Sequence, residues 1–274
     1  MAKGIFHRTE LLIGAEKLNQ LQEKKVIIFG IGGVGSWCAE SLIRSGITKL
    51  TIVDSDTVCI TNVNRQLQAT LKTVGQVKTE ALKDRLLEIN PTAEILTLQK
   101  IYCEANCQDF ELDSYDFIID AIDSLQNKIH LIQTATKTNA VFISAMGAAL
   151  KLDPTRIKVD SFWKVKGCHL GRSLRKKLRK VDPPIKDFMC VYSDELLENT
   201  WLDDDFGNDI NQLAEINNES NIQERQSKKA VINGSLSHIT AIYGFTMAGL
   251  VMQKVYKENK PVQSFEEEPE VEMA

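Results

Sequence analysis

Residues 30–46, GIGGVGSWCAESLIRSG, constrain the fold more than any other stretch of this chain. The apolar run KVIIFG, residues 25–30, ends on the first glycine, as a buried parallel strand does. Gly30, Gly32 and Gly35 then fit G-x-G-x-x-G, with Gly33 between them. SWCAESLIRS continues as a helix until Gly46 stops it. A strand that runs through glycines into a helix brings backbone close to a phosphate, and the helix N-terminus adds N–H donors and partial positive charge. A second run, KLTIVD, closes on Asp54 about 20 residues further on, where a carboxylate can accept from ribose hydroxyls. To this point NAD and ATP fit equally.

The rest of the first half repeats the alternation. Residues 10–22 carry apolar positions at helical spacing, and residues 76–90 read as an amphipathic helix ending before Pro91. EILTLQ, FIID and VFIS read as strands, with a helix over 125–138. Strands alternating with helices predict an α/β fold: a Rossmann-like, mostly parallel ATP-binding sheet with right-handed crossovers. A strand and helix extension follows it. After Lys151 come a turn and strand, a basic helix over 170–180 with Leu170, Leu174 and Leu178 on one face, and the strand FMCVYS. Residues 194–225 are acidic, Asn-rich and weakly patterned, which predicts a mobile surface insertion. An apolar helix near 238–255 and a solvated acidic tail complete the chain.

The residues after the second strand separate the nucleotides. Hydride transfer needs a nicotinamide pocket and a proton donor, usually His. This chain supplies Asn64, Arg65, Gln66 and Lys78 instead, which are triphosphate-handling groups. Lys78 falls in the first turn of a helix. DAIDS puts Asp120 and Asp123 at the carboxyl edge of the sheet, where ligands bind and a carboxylate can hold Mg²⁺. As an alternative, either acid could cap the following helix.

Composition narrows the classes. At 274 residues and a formal net charge of −4, the chain makes no global electrostatic case for nucleic acid. Its six scattered cysteines form no C-x-x-C pair, which removes the usual zinc and thioredoxin motifs; Cys103 and Cys107 could share a helix face. Scattered thiols and a charged N-terminus without signal character fit a reducing cytosol, so a cytoplasmic location is expected. Residues 238–255 fall short of the ~20 apolar residues of a span and carry Lys254, so no stable membrane insertion is expected.

The combination GIGGVGS, DSDTVCITNVNRQ, VGQVK and DAIDS resembles the ThiF-like, ubiquitin-activating-type adenylating enzymes, over about residues 5–193 and the final helix. The resemblance implies ATP with Mg²⁺, attack of a carboxylate on the α-phosphate, an acyl-adenylate, and pyrophosphate release. By motif position Asp54 is similar to the ribose-binding acid, Asp123 to the Mg²⁺ acid, and Asn64, Arg65 and Lys78 to the phosphate contacts. Arg8 in FHRTELLIG resembles an arginine that reaches into a partner subunit's site, which implies a homodimer.

Two carboxylates compete within that family. One is the C-terminal glycine of a ubiquitin-like sulfur carrier; the paired C-x-x-C motifs common in that branch are missing. The second half of the chain instead resembles the branch that dehydrates threonylcarbamoyladenosine in tRNA, which makes that RNA the expected partner. A sulfur-transfer or cysteine-desulfurase system is a further possible partner. Eleven basic residues from Lys151 to Lys180 meet only Asp153 and Asp160 in sequence, a pattern that suits a phosphate backbone. The chain departs from the branch at CHLG, residues 168–171, where Asp-Pro-Leu-Ala is common, and in its acidic insertion. An NAD-dependent oxidoreductase is the alternative from another class.

Overall fold

β1 (Lys25–Phe29) is the strand from which the sheet grows in both directions. On one side lie β2 (Lys49–Val53) and β3 (Glu94–Leu98); on the other lie β4 (Phe117–Asp120) and β5 (Val141–Ala145). All five run parallel. The sheet extends through β7 (Met189–Ser193), parallel to β5, to the edge strand β6 (Ile157–Ser161), antiparallel to β7. The order β3-β2-β1-β4-β5-β7-β6 reverses direction at β1, which opens a crevice beyond the carboxyl ends of β1 and β4. This computed structural model describes residues 4–200 and 233–258.

The β1 sequence explains its central place. Successive side chains point to opposite faces of a sheet. Val26 and Ile28 pack into one apolar cluster, Ile27 and Phe29 into another, and all four are fully buried. α3 (Gly35–Ser45), α4 (Lys78–Ile89) and α7 (Ser237–Lys257) supply residues to the first cluster. α5 (Leu125–Ala135) and α6 (His169–Leu178) supply residues to the second. α7 is a core helix: Tyr243, Met247 and Val251 have no exposed surface, and each such burial stabilises by roughly 1.5–3 kcal/mol. No helix among the described residues is long and apolar enough to cross a membrane.

Three expectations are corrected. The periodic stretch 10–22 belongs to two helices, α1 (His7–Ile13) and α2 (Ala15–Glu23), because Gly14 at φ 85° breaks it. α2 buries Leu18 and Leu21, whereas α1 buries nothing. The helix expected to reach 138 ends at Ala135; the Thr136 and Thr138 hydroxyls donate back to the Ile132 and Ala135 carbonyls and close the turn. Residues 104–110 form a 3₁₀ helix, in which positions three apart eclipse, so Cys103 and Cys107 do not share a face. That irregular segment still packs: Tyr102 and Phe110 set their rings 5.0 and 5.2 Å from Phe29. Of the stretch 194–225, residues 201–225 lie outside the described residues, as does the acidic tail.

Candidate nucleotide site at the carboxyl edge

The glycine loop leaves β1 and meets β4 immediately. Gly30 has φ 82°, and a Cβ there would lie 2.8 Å from the Ala121 carbonyl oxygen. A Cβ on Gly35 would sit 1.9 Å from the Gly30 oxygen. These two glycines are dictated by the protein's own packing. Gly32 differs: the nearest atom to a Cβ there is Gln66 Nε2, at 3.8 Å. Its missing side chain leaves room above the loop for something other than protein. No side chain caps α3 and no acid lies in its first turn, so the positive end of its dipole faces that room.

Asp54 ties the edge together. Its Oδ2 accepts from the Ile31 N–H at 2.9 Å, and its Oδ1 accepts from the Asp56 N–H at 3.0 Å. Lys78, the first residue of α4, is buried; its Nζ lies 2.8 Å from Asp56 Oδ2 and 3.9 Å from Asp54 Oδ1. Burial pushes the Asp54 carboxyl above its ordinary value, against the pull of Lys78 and the two N–H donors. Gln68, buried, donates to the Ile31 carbonyl at 2.8 Å and approaches Gln66 Oε1 at 3.5 Å. Glycine loop, Asp54, Gln66 and Lys78 thus form one continuous network.

Asn64 and Arg65 sit on its rim. Arg65 Nη1 donates to the Thr61 carbonyl and Asn64 Oδ1, at 2.8 and 2.9 Å. Asn64 Nδ2 donates to the Ser235 carbonyl just ahead of α7, at 2.9 Å. Trp37 of α3 and Thr240 of α7 donate to the Arg65 carbonyl. The rim loop is therefore anchored by two helices far apart in sequence.

The two acids after β4 have different fates. Asp120 is fully buried and pairs with Lys128 Nζ, also fully buried, at 2.8 Å; Ser144 of β5 donates to it at 2.7 Å. Lys128 and Asp120 also hold the Ile122 carbonyl and N–H, so the pair fixes the turn beneath Asp123. Neither acid caps α5, whose N-cap is Ser124. Asp123 is exposed, and its carboxylate has no partner among the described residues. Arg8 lies on α1, exposed and without a hydrogen bond or ion pair among the described residues; the chain's own fold does not bring it into the network.

The basic segment is less uniform than its sequence. Acids from just beyond β7 neutralise its first part: Arg156 and Lys158 bind the Asp194 carboxylate at 2.9 and 2.5 Å. Lys151 is buried with its Nζ on the Glu195 carbonyl, and burial pulls its pKa below the ordinary value. The opposition is thus not confined to Asp153 and Asp160. In CHLG, Cys168 is the N-cap of α6, its Sγ accepting from the Gly171 N–H at 3.5 Å. Cys190 is fully buried, and burial pushes its thiol well above the ordinary value, the setting of a packed structural cysteine. All six cysteines are free, and among the described residues no group of three or more potential ligands forms a metal cluster.

Asp56, Gln68, Lys128 and Ser144 were not singled out from sequence. Asp56 lies inside the quoted motif, yet nothing local marked it as the partner of Lys78.

A parallel sheet with its glycine loop, acid and lysine at the switch point defines a nucleotide-binding α/β protein. The chain belongs to the ThiF family, whose model matches residues 6–268. A tRNA threonylcarbamoyladenosine dehydratase of Bacillus subtilis (strain 168) is 43% identical over 190 residues, 69% of this chain and 74% of that protein. The enzyme of that name from Escherichia coli (strain K12) is 34% identical over 198 residues, 70% of this chain and 74% of that protein. Among solved structures, E. coli tRNA N6-threonylcarbamoyladenosine dehydratase, TcdA, in complex with ATP matches with a TM-score of 0.77 at 29% identity, over 91% of this chain and 93% of that one.

Proposed function

We propose that this protein uses ATP to dehydrate threonylcarbamoyladenosine in tRNA. The observation that carries the reading is the convergence, at one sheet edge, of room above Gly32, a fixed Lys78 cation and an exposed Asp123 carboxylate without a partner among the described residues. Relatives and structural neighbours that bear the same enzyme name support it.

The nucleotide's phosphates lie over the glycine loop and its ribose faces Asp54, with Asn64 and Gln66 as further contacts. The threonine carboxylate, ionised at neutral pH, attacks the α-phosphorus. The bond to pyrophosphate breaks, and a mixed anhydride with AMP forms. The carbamoyl group then attacks the activated acyl carbon and loses a proton. AMP departs with the former carboxylate oxygen, so the nucleoside has lost one water. Negative charge grows on the α-phosphate and on pyrophosphate; Lys78 and Arg65 stabilise it from fixed positions. Asp123, an exposed hard-oxygen donor at this edge, fits Mg²⁺, which when bound would offset charge on the phosphate oxygens. No sulfur enters the product, so the chemistry itself needs no sulfur-transfer partner.

In this reading the chain is one continuous domain. Its nucleotide-binding half runs to about residue 150, and the remainder, to about 260, faces the RNA. It works as a homodimer. α1 buries nothing, and Leu11 and Leu12 are 73% and 81% exposed, an apolar face suited to a second copy that would deliver Arg8 in trans.

The test is to incubate the protein with ATP, Mg²⁺ and threonylcarbamoyladenosine-bearing tRNA. Mass spectrometry should show loss of one water from the nucleoside. An unchanged nucleoside, with pyrophosphate exchange only for a ubiquitin-like protein, overturns the reading. So does binding of NAD without binding of ATP. Mixing Arg8→Ala with Lys78→Ala subunits should restore about a quarter of wild-type turnover, since half of randomly mixed dimers are hetero and each keeps one intact site. No recovery in demonstrated heterodimers removes the shared site.

A further inference from the structure

We propose that α6 and Trp163 form a track for the RNA strand flanking the modified nucleoside, with the Trp163 indole and Arg179 as a platform for one unstacked base. This rests on the reading above that the substrate is an RNA.

The charge is segregated. Residues 162–181 contain eight basic residues and no acidic one, in a chain of net charge −4. None of the eight is in an ion pair among the described residues. Only Arg175 is partly withdrawn, its Nη1 donating to the Phe162 carbonyl at 3.3 Å; the others are exposed. The fold brings Asp194 to Arg156 and Lys158 next door, yet among the described residues it brings no acid into an ion pair here. Leu174 and Leu178 anchor the opposite face of α6 in the core, so the cations stand on a rigid element.

Solvation alone would not call for an aromatic ring. Trp163 is 38% exposed, and its ring is seated 5.1 Å from that of buried Phe162. The Arg179 guanidinium carbon lies 5.8 Å from the indole centroid. A fixed ring among cations is the arrangement that binds single-stranded nucleic acid, because every base has a π face.

The direction of α6 matches the chemistry. Its start lies past the carboxyl ends of β5 and β7: a Cβ on Gly147 would lie 3.8 Å from Cys168 Sγ, and one on Gly167 would lie 2.8 Å from Asp194. Trp163 follows β6, whose last residue, Ser161, pairs with Met189 at the opposite end of β7. The helix therefore leads about 15 Å away from the nucleotide edge, toward the platform. A nucleoside held at that edge leaves its neighbours along Lys176, Lys177 and Lys180.

The experiment measures dehydration by the full-length protein against tRNA concentration at saturating ATP. Trp163→Leu keeps an apolar cover on Phe162 but removes the π face. It should raise KM for tRNA roughly tenfold, with kcat and the KM for ATP unchanged, and Trp163→Phe should recover most of the loss. Lys176→Ser/Lys180→Ser should lower the slope of log tRNA affinity against log salt by about 0.7 for each lysine. With an active wild type, an unchanged KM and salt slope overturn the track and leave the reaction standing. A fall in kcat and melting temperature in Trp163→Leu, without the KM effect, reduces the indole to a structural prop and also overturns it. A wild type inert on tRNA takes down both readings.

Discussion

The nucleotide edge and the α6 flank use charge in opposite ways. At the edge, Lys78 and Lys128 are buried and paired with Asp56 and Asp120. On the flank, Lys176, Lys177 and Lys180 are exposed and in no ion pair among the described residues. A charge out of water must have a partner, and the partner fixes its position. A charge in water needs none, so it stays available to a molecule that arrives. The edge is thus prearranged for chemistry, and the flank is open for association.

The largest test of that contrast is Lys128→Met. It leaves the Asp120 carboxylate buried without its cation and should cost about 3–5 kcal/mol in urea unfolding. A variant as stable as wild type would mean that the pair is not what holds the edge. Next come Lys78→Ala and Asp123→Ala, each expected to lower kcat/KM by about 10²–10³ while the circular dichroism spectrum keeps its native form. Normal turnover in both removes the site assignment.

A third test concerns Glu40 of α3, buried between Arg85 and Arg44. Burial alone would push its carboxyl up, but hydrogen bonds from Arg85 and Arg44 outweigh it and hold the group below its ordinary value. The folded value lies below the unfolded one, so this contribution is present above the unfolded value and is lost as pH falls through the folded one. Glu40→Gln should therefore flatten the acid limb of a stability–pH profile below about pH 4. An identical limb in wild type and variant would show that the arginines do not act through this carboxylate. The smallest effect belongs to the flank: Lys176→Ser/Lys180→Ser should leave unfolding stability within about 0.5 kcal/mol. A larger loss would show that these lysines have structural partners after all.

Much of the fold could be read from local pattern. The strand cores at 25–29, 49–53 and 117–120 are apolar runs, and the first turn of α4 was marked by its amphipathic period. The irregular loops after β2 and β3 were not readable. Their order comes from contacts such as Tyr102 on Phe29 and from the Trp37 and Thr240 bonds to Arg65, which leave no period in the sequence. In the site, the motif residues were visible, whereas the assignment of partners was not. Asp120 and Asp123 look alike in DAIDS, yet one is fully buried in an ion pair and the other is exposed without a partner among the described residues.

The sequence by itself determined the glycine loop, the strand that feeds it, the acid that closes β2 and the lysine that begins α4. Each of these depends on periodicity and backbone conformation within a few residues. Only the tertiary structure decided which charges are consumed. Asp120 of β4 finds Ser144 on the neighbouring β5 and Lys128 on α5, Arg156 and Lys158 find Asp194 beyond β7, and Arg179 lands on Trp163. Those meetings follow from strand order and register, which bring distant residues within a few ångströms. A linear pattern of charges carries no record of that distance.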